Sequence, residues 1–100
     1  GVDYIPDGIT VHQNFPNPFN PETTFPLDLG GSENQDVTLK VYNLNGAQVY
    51  KQTVNLYPGS YTSNSPFAWN AQEASSGIYM YSFELDSGDN IVFNKIMLIK

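Results

Sequence analysis

The chain contains no cysteine and no arginine, and it has one histidine and four lysines among its 100 residues. Without cysteine there are neither disulfides nor thiolate metal sites, although an extracellular setting stays open. Ten acidic residues against four lysines give a net charge of −6. Nucleic acid binding needs basic groups that displace counterions, and these are scarce here. An anionic membrane surface is disfavoured for the same reason. The charge balance reads as a soluble acidic surface that resists aggregation. No apolar run approaches the roughly 20 residues of a membrane-spanning helix. Residues 1–7 lack the basic start and apolar stretch of a signal peptide, which fits a piece of a longer secreted protein with Gly1 left over from cloning.

Catalytic chemistry is equally thin. His12 has no cysteine to activate, and no serine sits in a Gly-x-Ser-x-Gly turn. The acidic residues fall mostly in turns and strand ends, where solvated charge is the ordinary explanation, rather than as a facing carboxylate pair. The reading is therefore not an enzyme, with no catalytic residue. Asp86, Gly88 and Asp89 resemble the start of a calcium loop, but the twelfth position is Met97 instead of a bidentate glutamate. A hairpin turn over 87–90 explains these residues, and no metal or cofactor is expected.

What the chain does have is a period of two. In 36–43, Val37, Leu39 and Val41 fall on one side and Thr38, Lys40 and Tyr42 on the other. Asn45 and Gly46 suit a tight turn, and a second strand follows over 47–56, making a hairpin. Over 77–86, Tyr79, Tyr81, Phe83 and Leu85 alternate with Ile78, Met80, Ser82 and Glu84. The last strand, 91–99, is apolar on both faces near its end, as a strand covered on both sides would be. Phe25, Leu27 and Leu29 alternate over 23–29, where Pro26 requires an edge or a bulge. Shorter strands are expected at Ile9 to Val11 and Phe67 to Trp69, and 57–66 reads as a surface loop. About seven short strands and no helix predict an all-β protein, an antiparallel immunoglobulin-like β-sandwich. One domain fits the length, with 1–12 as a lead-in carrying a short first strand and 13–100 as the sandwich.

Two further features invite a functional reading. Trp69, Tyr57 and Tyr61 are candidates for a glycan-stacking platform in a carbohydrate-binding or adhesion module, with a core role favoured for Trp69. The opening "FPNPFNPETT" (15–24) can be neither helix nor interior strand, because its prolines fix φ and remove donors. It reads as a rigid lead-in, with Phe15 and Phe19 anchoring to the rim of the core and Asn17 and Asn20 bonding neighbouring backbone groups.

Four blocks occur in order: "QNFPNPFNPETTFPLDL" (13–29), "VTLKVYNLNGAQV" (37–49), "SSGIYMYSFEL" (75–85) and "NKIMLIK" (94–100). Together they resemble the type A C-terminal sorting domain of type IX secretion substrates, a sandwich related to the immunoglobulin-like domain of hook-capping proteins. Phe15 and Phe25 stand where tyrosine and isoleucine are commoner, Pro26 is unusual, and "TSNSPF" (62–67) lengthens a loop. The resemblance implies a signal domain attached to an N-terminal cargo protein. The partners it implies are an outer-membrane translocon and a sortase-like peptidase that removes the domain, with export through the periplasm to the cell surface. Pro16, Asn17, Pro18, Gly77 and Tyr79 match the family motif. Recognition is implied in the last strand, at Lys95, Ile96, Met97, Leu98, Ile99 and Lys100. A partner strand could add to that edge, with the lysines steering an acidic receptor or protecting the edge. The same edge offers a weak homodimer contact. A structural immunoglobulin-like spacer is the remaining alternative.

Overall fold

The computed structural model describes residues 8–86 and 90–100, with side chains outside 90–93. The predicted turn at 87–90 falls largely outside the described residues. Nine strands are present among them: β1 (Ile9–Val11), β2 (Glu22–Thr24), β3 (Leu27–Leu29), β4 (Gln35–Tyr42), β5 (Gln48–Leu56), β6 (Gly59–Tyr61), β7 (Ala68–Asn70), β8 (Gly77–Leu85) and β9 (Asn90–Leu98). The four long ones form an antiparallel sheet in the order β5-β4-β8-β9. Opposite it lie a three-stranded sheet, β1-β3-β6, and a two-stranded one, β2-β7. The fold is the expected all-β sandwich, with two strands more than the alternation alone predicted.

The extra strands come from two corrections. The run 23–29 is not one edge strand. It breaks at Phe25–Pro26 into β2 and β3, which belong to different sheets. Proline supplies no ladder donor, so the break costs no main-chain bond at Pro26. The inward alternation nevertheless carries across it, because Phe25, Leu27 and Leu29 are all buried. The second correction lies in 57–66, where Gly59–Tyr61 pairs with β3 as β6 instead of staying irregular. Such a short strand in a turn-rich sequence is specified by its partner rather than by its own residues.

The β4–β5 hairpin forms as the alternation requires. Gly46 adopts φ of 83° in its turn, and Asn43 Oδ1 accepts the main-chain N–H groups of Asn45 and Ala47. The core lies between the layers and is joined across them by rings. Phe25 meets Tyr81 edge-on at 4.9 Å, Phe67 meets Phe83 at 5.2 Å, and Trp69 meets Tyr79 at 5.1 Å. Each such pair adds about 0.5–1.5 kcal/mol beyond its buried area. One polar link reinforces the crossing: Gln52 on β5 donates to Pro66 O and accepts from Ala68 N–H.

Two outcomes follow. Phe25→Ala removes a fully buried ring that touches both Tyr81 and Phe83, and chemical unfolding is expected to show a loss of about 3–5 kcal/mol. Asp28, on the central strand of the three-stranded sheet, has its pKa lowered from 3.8 by hydrogen bonds from Ser60 and then His12. A lowered carboxyl pKa stabilises the fold above the ordinary value and loses that contribution as pH falls through the folded value. Asp28→Asn is therefore expected to melt below the parent at neutral pH, with the gap closing as the pH drops below 3.8.

Candidate functional site

Residues 15–24 close on themselves before they reach anything else. Phe15 and Thr24 exchange both main-chain hydrogen bonds, each at 2.9 Å. Beneath that closure Asn14 is buried; its Nδ2 donates to Thr23 Oγ1 at 3.0 Å, and Thr23 Oγ1 donates to Pro16 O at 2.9 Å. The prolines leave carbonyls without neighbouring donors, and this pair of side chains supplies them. The peptide bonds before Pro16, Pro18 and Pro21 are all cis. On its far side the segment is held where Ala71 N–H donates to Pro21 O at 2.8 Å.

The two phenylalanines part company. Phe19 is only 1% exposed and its ring packs on Trp69 at 5.7 Å. Phe15 is 73% exposed and contributes its main chain, so it does not anchor to the core as expected. On an extended path, residues four apart need not share an environment once the chain turns between them.

The apex of the segment lies along the outer edge of the terminal strand. Phe19 N–H donates to Met97 O at 2.9 Å, Ile99 N–H donates to Phe19 O at 3.0 Å, and Met97 N–H donates to Asn17 Oδ1 at 3.1 Å. Phe19 and Leu98 thereby form a parallel bridge. Asn17 was expected to bond a neighbour; it bonds a residue 80 positions away. One step back along the same edge, Lys95 N–H donates to Asn94 Oδ1 at 2.8 Å. β9 is the last strand of its sheet, so these groups would otherwise be an open template for another chain. Between Met97 and Ile99 a second copy of the domain finds no free N–H to pair with.

The six C-terminal residues divide by parity. Ile96 and Leu98 are buried in the sandwich, while Met97 and Ile99 are 41% and 49% exposed. The strand end is thus covered on one face only, contrary to the two-sided burial its composition suggested. Lys95 is exposed beside a groove of about 240 Å³ lined also by Asn17, Ile78, Ile96 and Met97. Lys100 is tied down: its N–H donates to Ser76 Oγ at 3.0 Å and its Nζ to Gln72 O. Another cation, Lys40, pairs with Glu84 at 2.9 Å on the same sheet.

Gly77 and Tyr79 support this end of the chain. Gly77 holds φ of 150°, strained for any side chain, at the start of β8 opposite Leu98. Tyr79 is buried against Trp69 and donates its hydroxyl to Ser75 O at 2.6 Å.

The aromatic platform does not form. Trp69 is 4% exposed, held among Phe19, Tyr50 and Tyr79. Tyr57 is exposed and Tyr61 half-buried, the latter donating its hydroxyl to Tyr57 O. Beside Trp69 lies instead a pocket of about 350 Å³ lined by Asn43, Tyr50, Asn70, Glu73 and Tyr79, with neither Tyr57 nor Tyr61 in its wall. Among the described residues no three histidine, aspartate or glutamate side chains gather as metal ligands.

Comparison with known proteins bears on what such an arrangement serves. A family model described as the secretion system C-terminal sorting domain matches residues 13–100. Among solved structures, dimeric latent PorU from Porphyromonas gingivalis is similar, with a TM-score of 0.73 and 20% identity over 96% of this chain and 10% of that one. At that identity the likeness is one of fold, and the chain spans about a tenth of the length of PorU. A comparison with curated proteins finds no match. The motif segment 15–24 and the terminal strand, which the structure joins edge to edge, both lie within the matched range, and the chain belongs to the family of type IX secretion C-terminal sorting domains.

Proposed function

We propose that this domain is read by an outer-membrane translocon through the exposed side of its terminal strand, and that it thereby carries an attached cargo protein out of the periplasm. Domains of this family mark proteins for export to the cell surface or the extracellular space. The reading for this chain makes it a signal and not a catalyst, with a sortase-like peptidase removing it once the cargo has crossed. The observation that carries the reading is the parity of β9. Ile96 and Leu98 hold the strand in the core while Met97 and Ile99 stand side by side in solvent, with Lys95 next to them. Large apolar side chains exposed in a row on an ordered strand are what a partner surface would bury. Lys95 adds a cation to an otherwise acidic molecule, and an acidic receptor would be steered to it.

The test is delivery of a cargo fusion in a type IX-competent host. Deleting 96–100 is expected to trap the cargo in the periplasm, but it also removes buried Ile96 and Leu98. A second fusion carrying Lys95→Gln, Met97→Gln and Ile99→Thr alters only exposed side chains and is expected to stay folded and still be retained. Normal surface delivery of the second fusion would sink the proposal, whatever the deletion does.

A further inference from the structure

We propose that the outer edge of β9 is an acceptor site for a partner's extended strand, and that residues 17–19 of this chain are a stand-in occupant that is displaced when the partner binds. The inference rests on the reading that the terminal strand is recognised, and it states how the main chain takes part.

The stand-in copies a strand incompletely. Phe19 provides both halves of a parallel ladder step, its N–H to Met97 O and its C=O to Ile99 N–H. The next acceptor, for Met97 N–H, is not a main-chain carbonyl but the side-chain amide oxygen of Asn17. A regular parallel partner would place a peptide carbonyl there instead. In a parallel ladder alternate residues face the partner, so the residue to continue toward Lys95 is Asn17, set between Pro16 and Pro18 with their fixed φ; its side chain rather than its carbonyl reaches β9, and the ladder stops at Phe19. Past Asn17 the edge runs into the open groove beside Lys95 and Ile96. An incoming strand with ordinary residues would reproduce the main-chain bonds of Phe19, replace the Asn17 side chain with a peptide carbonyl, and continue to the Lys95 N–H by displacing Asn94 Oδ1 from it. That is the chemistry of strand addition.

The geometry also describes the partner. It runs parallel to β9 and carries a large apolar side chain level with Leu98, to refill the space that the Phe19 ring vacates against Trp69. The closure of 15–24 by Phe15 and Thr24, with the Asn14–Thr23–Pro16 bonds beneath it, lies outside the displaced contacts. The segment can swing away from β9 without unravelling β2.

The absence of cysteine makes a direct test possible. In the cargo fusion, Asn17→Cys with Ile78→Cys places two thiols on the wall of one groove and leaves the recognised side chains of the terminal strand untouched. They are joined by a disulfide or, where that does not form, by a flexible bis-maleimide added to cells before export is induced. A control lock, Thr38→Cys with Thr53→Cys, joins β4 to β5, where the two hydroxyls are already 2.9 Å apart. Fluorescence of Trp69 reports that each locked domain stays folded. The expected result is periplasmic retention, at least tenfold over the parent, of the 17–78 lock alone, with delivery by the single-cysteine variants and by the control lock. Delivery of the 17–78 lock at the parent level overturns strand exchange while leaving recognition by exposed side chains standing. Retention of both locks also overturns it, by assigning the block to rigidity in general. Failure of the wild-type fusion to be delivered at all removes the sorting reading itself, and this inference with it.

Discussion

The main-chain groups at the end of β9 have to be satisfied, and the molecule solves this with a segment from its other end. An edge strand left open is a template for any extended chain it meets. The last strand carries that hazard, because Met97 and Ile99 already present apolar surface beside the edge. Three hydrogen bonds from residues 17–19 close it, each contributing about 0.5–1.5 kcal/mol net. Burial of the Phe19 ring contributes about 1.5–3 kcal/mol more. The cover is firm enough to suppress casual pairing, and it can open locally while the β8–β9 ladder stays paired. The proposed strand exchange requires this cover to be closed in solution and to open for a partner that makes more bonds than it does.

Much of the remaining architecture serves to place that cover. The break at Phe25–Pro26 sends β2 into one sheet and β3 into the other. This leaves the preceding segment free to cross the end of the sandwich. Pairing of β2 with β7 sets Thr23 opposite Trp69, and Trp69 in turn is the surface on which Phe19 lands. Tyr79 buttresses the indole from the long sheet. One buried aromatic thus connects the motif segment, the short β7 and the sheet that carries the terminal strand.

The long strands were legible because a period of two depends on burial of one face alone, and Val37, Leu39 and Val41 or Tyr79, Tyr81 and Phe83 declare it locally. Trp69 was legible as core on other grounds, because a large aromatic on a strand is usually buried. β6 was not, since Gly59 and Ser60 have no strand preference and pair only because β3 lies beside them. Nor was the different fate of Phe15 and Phe19, which local sequence does not distinguish. The site itself was half visible. Its two parts could each be picked out, yet the contact between them is made by main chain and one asparagine across 80 positions. Main-chain pairing leaves no mark in side-chain pattern, so a proline-rich opening and an apolar ending gave no sign that they touch.

The cover on β9 is tested most directly by amide hydrogen exchange, resolved by residue, on the whole domain. The Met97 and Ile99 amides are expected to exchange far more slowly than an open edge would allow. They are also expected to exchange faster than those of Ile96 and Leu98, which face β8, because local opening of the cover precedes opening of the sheet. Exchange of Met97 and Ile99 at the rate of an unstructured peptide would contradict this, because the edge would then be open and residues 17–19 would not hold it.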